Sequence, residues 1–420
     1  MNHNFKVSID RFLAIYLISL SFFRIDFAGG NAPFLITPQL LISLFLILLI
    51  LLKKDVLNQK LSLRTGHSVV GALLVLIYFF LTIIFGFKGV LQLKKMTLFT
   101  EIIISSIAFF YLFKTSKNKK EIIRFWIKGT LLIQVVWLLV QFSLFFTNTH
   151  QSNTAHITFF NYLNPFSHYV GSYFPRINGG FLDPNVFSYY MSFIFFVGKS
   201  TKTLRQIESY FVMVLILFSF SRSGIASFVL VYLLQTILTP RKINVKKLVK
   251  KARFLLLFII GLSVTFYYYG LFERIQTALE LRFLNSSTST NIHTEILFYG
   301  FANSYESIKT LFIGHGFMSA PFYIFENFRH IGSEWKYVNF HSDYATMIFE
   351  TGLLGFFLFY YVIGQLVNRK KIKLLAVYVF SLILLQGIFY QQFNFHYFWI
   401  IFFLTIEITE NKTKRFLDRY

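Results

Sequence analysis

Apolar stretches long enough to cross a membrane recur along the whole 420-residue chain, separated by short polar segments. A helix needs about 20 consecutive apolar residues to cross the hydrocarbon core of a bilayer. The pattern predicts an all-α polytopic membrane protein with about 12 transmembrane helices, forming a single integral membrane domain over residues 1–420. The predicted spans are 10–28, 33–52, 68–87, 96–113, 125–147, 184–198, 207–220, 223–240, 254–271, 342–366, 373–390 and 393–409.

The apolar stretch from 207 to 240 is interpreted as two short helices. One helix of that length would extend about 50 Å, much more than the roughly 30 Å hydrocarbon core. The polar sequence Ser221-Arg222-Ser223-Gly224 interrupts the stretch near its middle. We therefore expect two helices that meet at the outer face of the membrane, with Arg222 at the tip.

Two connections are much longer than the others, at approximately 148–183 and 272–341. Loops this long inside a compact domain are usually functional or disordered. Both are rich in aromatic residues, and the second also contains a helix-like stretch near 295–309 and a glycine-containing turn at 314–316. We expect both loops to face outward, where aromatic rings either lie at the level of the lipid headgroups or stack on sugar rings.

Composition and charge support a membrane protein. The chain is 55% hydrophobic and only 14% charged, with a mean hydropathy of +0.58. Its formal net charge of +23 does not indicate nucleic-acid binding, because 30 of the 41 Lys and Arg lie in or next to one alternating set of connections. This bias is typical of cytoplasmic loops and predicts that both termini are cytoplasmic. The absence of cysteine excludes disulfides and thiolate metal sites.

The sequence 176–185 places an arginine just before a predicted helix start. Asp183 is suited to cap that helix and Pro184 to occupy its first turn. The N-terminus of a helix offers unpaired N–H groups and a partial positive charge to an anion. With Arg176 beside it and Gly180 permitting close approach of the backbone, this segment predicts a site for a pyrophosphate-sized anion. The alternative is that Arg176 only reaches phospholipid headgroups ahead of a capped helix.

Arg222 and His341 are the other candidate functional residues. An arginine between two apolar stretches is unfavourable unless it is paired or hydrated, so Arg222 is either functional or in contact with lipid phosphate. His341 is followed by Ser342 at the start of an apolar helix, and an imidazole there can take a proton from an attacking hydroxyl near neutral pH. A structural role for the histidine stays open, and Asp26 is a rival base unless it pairs with Arg24.

Together these motifs resemble the bacterial O-antigen ligase/polymerase superfamily of polytopic glycosyltransferases. That family shows an Arg-x3-Gly element before a Pro-Asn helix start, a Ser-Arg element between two short helices, and a His-[Asn/Ser/Gln]-x9-Gly-x-x-Gly element. The turn at 312–316 is similar to the Gly-x-Gly that precedes the histidine in the family. The resemblance covers roughly 170–360, and its matching residues are Arg176, Gly180, Pro184, Asn185, Ser221, Arg222, His341, Ser342, Gly352 and Gly355.

The resemblance implies a glycosyltransferase C-type helical fold and an undecaprenyl-pyrophosphate-linked glycan as donor, with no cofactor and no metal requirement. The sequence also contains no Asp-x-Asp pair and no His/Glu cluster with metal-ligand spacing. In the roles implied by the family, Arg176 and Arg222 hold the pyrophosphate, and His341 activates the acceptor hydroxyl. Further substrate-binding residues are expected at Gly180, Asp183, Asn185, Ser221 and Ser342.

The function predicted from the sequence is polymerisation of lipid-linked polysaccharide repeat units at the outer face of a bacterial plasma membrane. Its expected partners are undecaprenyl-pyrophosphate-linked oligosaccharides, membrane lipids, and a chain-length regulator and flippase of the same pathway. The alternative is a ligase that transfers finished glycan to lipid A-core, using the same donor.

The preference for a polymerase depends on a second lipid pyrophosphate, which the predicted outer cations Arg274, Arg282, Arg329 and Lys336 are available to bind. A glycolipid flippase is a third possibility from a different class of protein. It would be expected to show repeated halves and charged residues along a central cavity. This chain shows no internal repeat, and its spans contain few charges.

The predicted topology has a direct test. Reporter fusions after Asn153 and Asn327 are expected to read as external, and a fusion after Lys247 as cytoplasmic, because the basic loops are retained inside. Paired alkaline phosphatase and green fluorescent protein fusions at each position give the measurement. A cytoplasmic signal from either long loop would contradict the topology, since the Arg176 and His341 motifs would then face the wrong compartment.

Overall fold

The computed structural model describes residues 3–21, 38–52, 63–146, 169–170, 174–181, 183–239, 287–327, 340–367 and 373–410. Within these ranges the chain is helical apart from one antiparallel pair of two-residue strands, β1 (Tyr169–Val170) and β2 (Phe174–Pro175). The helices are α1 (His3–Ser19), α2 (Pro38–Leu52), α3 (Leu63–Phe85), α4 (Val90–Thr115), α5 (Lys119–Phe146), α6 (Pro184–Ser200), α7 (Gln206–Phe218), α8 (Arg222–Leu238), α9 (Ser287–Asn303), α10 (Ile308–Ile313), α11 (Ala320–Asn327), α12 (Asp343–Gly364), α13 (Leu374–Phe389) and α14 (His396–Glu410).

Four helical segments in the described part of the chain are long and apolar enough to cross a membrane. Several other apolar helices are shorter, and α7, with 13 residues, reaches only about 20 Å at 1.5 Å per residue. The helical architecture is that of a membrane protein, while the count of 12 spans, the single-domain division and the C-type fold stay predictions. The predicted span 254–271 lies outside the described residues. The four segments that are long and apolar enough to cross a membrane are Thr65–Phe85, Gln92–Thr115, Lys119–Ser143 and Asp343–Gly364.

The predicted break in the stretch 207–240 is confirmed, because α7 ends at Phe218 and α8 begins at Arg222. Between them Phe220 has a φ of 50°, in the left-handed region that a right-handed helix does not contain. Ser221 then caps α8 by accepting a hydrogen bond from the Gly224 backbone N–H at 3.0 Å. The cap satisfies one of the N–H groups that the first turn of a helix leaves unpaired.

Helices α6 and α14 form the centre of the bundle. Almost every side chain of both helices is buried, as expected for helices that are apolar on all sides. Helix α6 packs against α5, α7, α8, α13 and α14, and α14 packs also against α4. Peripheral helices instead expose large apolar side chains such as Ile77, Leu132 and Leu139, which suit contact with lipid.

Helix α12 is kinked at Gly352, where φ is 64° and ψ is −174°. The turn after α10 packs into this kink. The backbone N–H groups of His315 and Gly316 donate to the carbonyls of Phe349 and Glu350 at 2.8 and 2.9 Å. Because the kink frees helix carbonyls from their usual partners, these two bonds satisfy groups that would otherwise be buried and unpaired.

A second, smaller hydrophobic cluster fastens α9 and α11 to the N-terminal half of α12. Phe340, one of its fully buried members, immediately precedes His341. The position of the histidine therefore depends on how the second long loop packs against α12. The cluster consists of Ile296, Ala320, Ile324, Phe340, Ala345 and Phe349.

The kink gives a stability prediction. Gly352→Ala would introduce a Cβ 2.3 Å from the carbonyl carbon of Phe312, at a backbone φ that costs a non-glycine residue about 1–3 kcal/mol before any clash. We expect a clearly lower midpoint of thermal unfolding for the purified protein in detergent. Gly364→Ala is the matched control, because it ends the same helix and its Cβ would have no heavy atom within 4 Å. Equal unfolding midpoints for both variants would contradict the kinked geometry.

Candidate active site

Arg176 lies beside the junction of α7 and α8. Its side chain is only 7% exposed, and its Nε donates to the Ser219 carbonyl at 3.1 Å. The next backbone N–H, of Ile177, donates to the Phe218 carbonyl at 3.0 Å. The structure therefore brings the Arg176 motif next to the Ser-Arg element that begins α8, as the pyrophosphate hypothesis requires.

The first turns of α6 and α8 are joined to each other. Asp183 caps α6 by accepting from the Asn185 backbone N–H at 2.7 Å, which confirms the predicted cap. The Asn185 Oδ1 in turn accepts from the Ser221 hydroxyl at 2.7 Å. A Cβ on Gly224 would lie 1.8 Å from the Ser188 hydroxyl. Only a glycine at that position lets the two helix starts come this close.

This arrangement concentrates positive potential. The N-terminus of a helix carries about half a unit of positive charge, and two such ends lie side by side here. Arg222 is the first residue of α8, and Arg176 lies beside the same junction. Gly180 is buried in the turn that leads from Arg176 to α6. Convergent N–H groups and guanidinium groups are suited to bind a phosphate or pyrophosphate.

His341 lies next to Ser342, the cap residue of α12, and is half-buried. Its φ is 54°, in the left-handed region that is uncommon for residues other than glycine and frequent at functional sites. The Ser342 side chain caps α12 by accepting from the Ala345 N–H and donates to the Gly387 carbonyl at 3.1 Å. Ser342 therefore orients the histidine and the helix start, while its predicted contact with substrate stays a prediction.

Tyr390, in the connection after α13, joins the histidine to the start of α6. Its ring centroid lies 6.3 Å from that of His341, and its phenol donates to Asp183 Oδ2 at 2.7 Å. Its ring also packs on Tyr189 at 5.8 Å, and the Tyr189 hydroxyl lies 2.5 Å from that of Ser223. The motifs that contain Asp183, Ser223 and His341 thus meet around Tyr189 and Tyr390.

Neither tyrosine was singled out by the sequence. The chain contains 24 Tyr, and both residues lie in aromatic-rich apolar stretches without any local mark of function. The sequence gives Asp343, which follows Ser342, no mark of function either, yet it is 1% exposed and accepts from the Gln392 backbone N–H at 2.8 Å. A buried carboxylate needs such partners, and this one fixes the connection that carries Tyr390.

Other predicted residues have structural roles or cannot be placed. Gly355 packs against Tyr78, whose Cε1 would lie 2.8 Å from an added Cβ. Among the described residues, no group of three or more His, Asp or Glu side chains is placed to hold a metal ion, and metal independence stays a prediction. Six predicted residues lie outside the described part of the chain: Arg24, Asp26, Arg274, Arg282, Arg329 and Lys336.

Residues 209–360 match the family model Wzy_C, described as O-antigen ligase. The predicted resemblance to the O-antigen ligase/polymerase superfamily is confirmed. The match contains the Ser221-Arg222 element and the His341 element, whereas Arg176 precedes it and reaches the site only through the fold. A search of curated proteins finds none that matches the chain. The family match supports a polymerase or ligase role in O-antigen biosynthesis, hence a glycosyltransferase-like bacterial membrane enzyme acting on lipid-linked glycans.

The bond between Tyr390 and Asp183 predicts energetic coupling. Tyr390→Phe keeps the ring and removes the donor, and Asp183→Asn keeps the cap and replaces an acceptor oxygen. Each change is expected to lower the free energy of unfolding by about 1–2 kcal/mol, with a coupling of about 0.5–3 kcal/mol in a double-mutant cycle. Denaturant unfolding in detergent gives the measurement. The control cycle pairs Asp183→Asn with Tyr189→Phe, because the Tyr189 hydroxyl contacts Ser223 instead of Asp183. Equal coupling in both cycles would contradict the hydrogen bond between Tyr390 and Asp183.

Proposed function

We propose that this protein is a polymerase of lipid-linked polysaccharide repeat units. It transfers a glycan from undecaprenyl pyrophosphate to a hydroxyl of an acceptor sugar at the outer face of the membrane. The observation that carries the proposal is the meeting of Arg176, the joined starts of α6 and α8, and His341 around Tyr390. An anion site and a general base in one place are the two requirements of this reaction.

The anion site serves the leaving group. As the bond between the anomeric carbon and the pyrophosphate oxygen breaks, negative charge grows on that oxygen. Fixed donors aimed at a developing charge stabilise the transition state more than the ground state. The guanidinium groups of Arg176 and Arg222 provide such donors, together with those first-turn N–H groups of α6 and α8 that are not already bonded to the cap residues Asp183 and Ser221.

The histidine serves the acceptor. The acceptor oxygen attacks the anomeric carbon and forms the new glycosidic bond, undecaprenyl pyrophosphate leaves with the electron pair of the broken bond, and the imidazole of His341 takes the acceptor proton. A single displacement of this kind inverts the anomeric configuration. The Tyr390 phenol donates its proton to Asp183, so it orients that carboxylate and does not compete with His341 as a base.

The second candidate function is that of an O-antigen ligase, which the description of the matching family favours. A ligase would use the same donor and the same leaving-group site. It would differ in its acceptor, which is lipid A-core and carries no second undecaprenyl pyrophosphate. The two functions therefore differ in the intermediate that accumulates when the enzyme is lost.

The length of accumulated lipid-linked glycan tests the proposal. A knockout strain is complemented with the wild-type protein, Arg176→Ala or His341→Ala, and its undecaprenyl-linked glycans are resolved by length. Both variants are expected to accumulate single repeat units. For His341→Ala we expect transfer in membrane preparations to be slower by roughly 10²–10⁴-fold, the usual contribution of a general base.

Protein levels measured by immunoblot control for misfolding in each strain. Arg176→Lys is expected to rescue polymer only partly, because an ammonium group does not reproduce the planar hydrogen-bonding fork of a guanidinium group. Long lipid-linked chains in the knockout would overturn the polymerase in favour of the ligase. Wild-type polymer in Arg176→Ala cells would overturn the leaving-group site.

A further inference from the structure

Gln134, on the buried face of α5, has an unsatisfied amide. Its side chain is 1% exposed, and neither its Oε1 nor its Nε2 has a hydrogen-bond partner among the described residues. A buried amide without partners is destabilising, and a bound water or ligand is one way in which a folded protein satisfies such a group. The amide therefore requires an explanation.

Its neighbours on the same face of α5 differ from it. Residues spaced by four and seven positions share one side of a helix, which places Thr130 and Gln141 in line with Gln134. The Thr130 hydroxyl lies 2.9 Å from that of Ser21, and Gln141 Nε2 donates to Asn178 Oδ1 at 2.6 Å. This polar face thus lies against the segment that carries Arg176, and of these three side chains only Gln134 offers an amide with neither atom bonded.

The amide points at the glycine turn of the candidate donor site. A Cβ on Gly179 would lie 1.9 Å from Gln134 Oε1, so the amide rests directly against the backbone of that glycine. Gly179 has a φ of 55° and lies between Arg176 and the start of α6. Gln134 is also 12 residues before the end of α5, about 18 Å along the helix axis. The contact therefore lies well inside the bundle.

We propose that Gln134 binds the headgroup of the lipid-linked donor, with Nε2–H donating to an acceptor oxygen of that headgroup. This assignment rests on the proposed function and extends it, because it adds a neutral hydrogen-bonding group to a site otherwise built from arginines and helix ends. Phosphate oxygens and sugar hydroxyl oxygens both accept such a bond. A neutral amide selects for geometry without adding charge, which suits the part of the headgroup next to the pyrophosphate.

Binding to purified protein in nanodiscs tests the assignment. The two probes are undecaprenyl pyrophosphate without sugar and the undecaprenyl-pyrophosphate-linked repeat unit extracted from the host. Gln134→Leu removes the amide at similar volume and is expected to weaken binding by about 10-fold or more, the effect of losing a hydrogen bond to a charged or polar ligand group. Weaker binding of both probes assigns the bond to phosphate, and weaker binding of the glycan probe alone assigns it to the sugar.

Gln386→Leu is the matched control, because Gln386 is equally buried and its amide atoms also have no partner among the described residues, but it lies on α13. This variant is expected to bind both probes as the wild type does. Gln134→Met provides a second variant at the same position. It also removes the amide at similar volume, and it is expected to weaken binding in the same way as Gln134→Leu.

The two possible failures are distinguishable. Wild-type affinity of Gln134→Leu for both probes, with binding lost in Arg176→Ala, would overturn the assignment and leave a bound water as the occupant of the amide. Wild-type affinity of Arg176→Ala for both probes would instead overturn the proposed donor site itself.

Discussion

The contact between the first turns of α6 and α8 is the constraint on which the candidate site depends. Asn185 accepts from the Ser221 hydroxyl, and Gly224 leaves room for Ser188, so two positively polarised helix ends are held side by side. Such an arrangement is unfavourable for the helix dipoles alone. The Asp183 carboxylate at the start of α6 offsets part of this positive potential, and an anion bound between the two helix ends would offset more of it, which suits a phosphate-bearing substrate.

The acceptor side is attached to this pair of helix starts through Tyr390. Its phenol bonds to the α6 cap residue Asp183, and its ring lies against that of His341. The buried carboxylate of Asp343 fixes the same connection from the other side. The groups that would bind the leaving pyrophosphate and activate the acceptor are therefore connected through the same contacts. This connection matters because a displacement requires the nucleophile and the leaving group to be aligned.

The kinked helix α12 explains how the second long loop helps to position His341. The turn at 314–316 satisfies the carbonyls that the kink exposes, and Phe340 packs into the small cluster that fastens the loop. His341 follows directly in an otherwise unfavourable left-handed conformation. The glycines of the His-x9-Gly-x-x-Gly element thus act through packing, with Gly352 forming the kink and Gly355 making room for Tyr78.

The sequence by itself determined the features that depend on neighbouring residues. Helical stretches follow from apolar run length, the cap at Asp183 from its place before Pro184, and the break at Ser221 from a polar interruption. Each of these features depends on residues that lie within one or two helical turns of each other in the chain. Only the tertiary structure decided that Arg176 bonds to the end of α7 and that Tyr390 joins Asp183 to His341. Such contacts depend on how helices that are distant in sequence pack together. A tyrosine in an aromatic-rich stretch carries no local signal that identifies its partner.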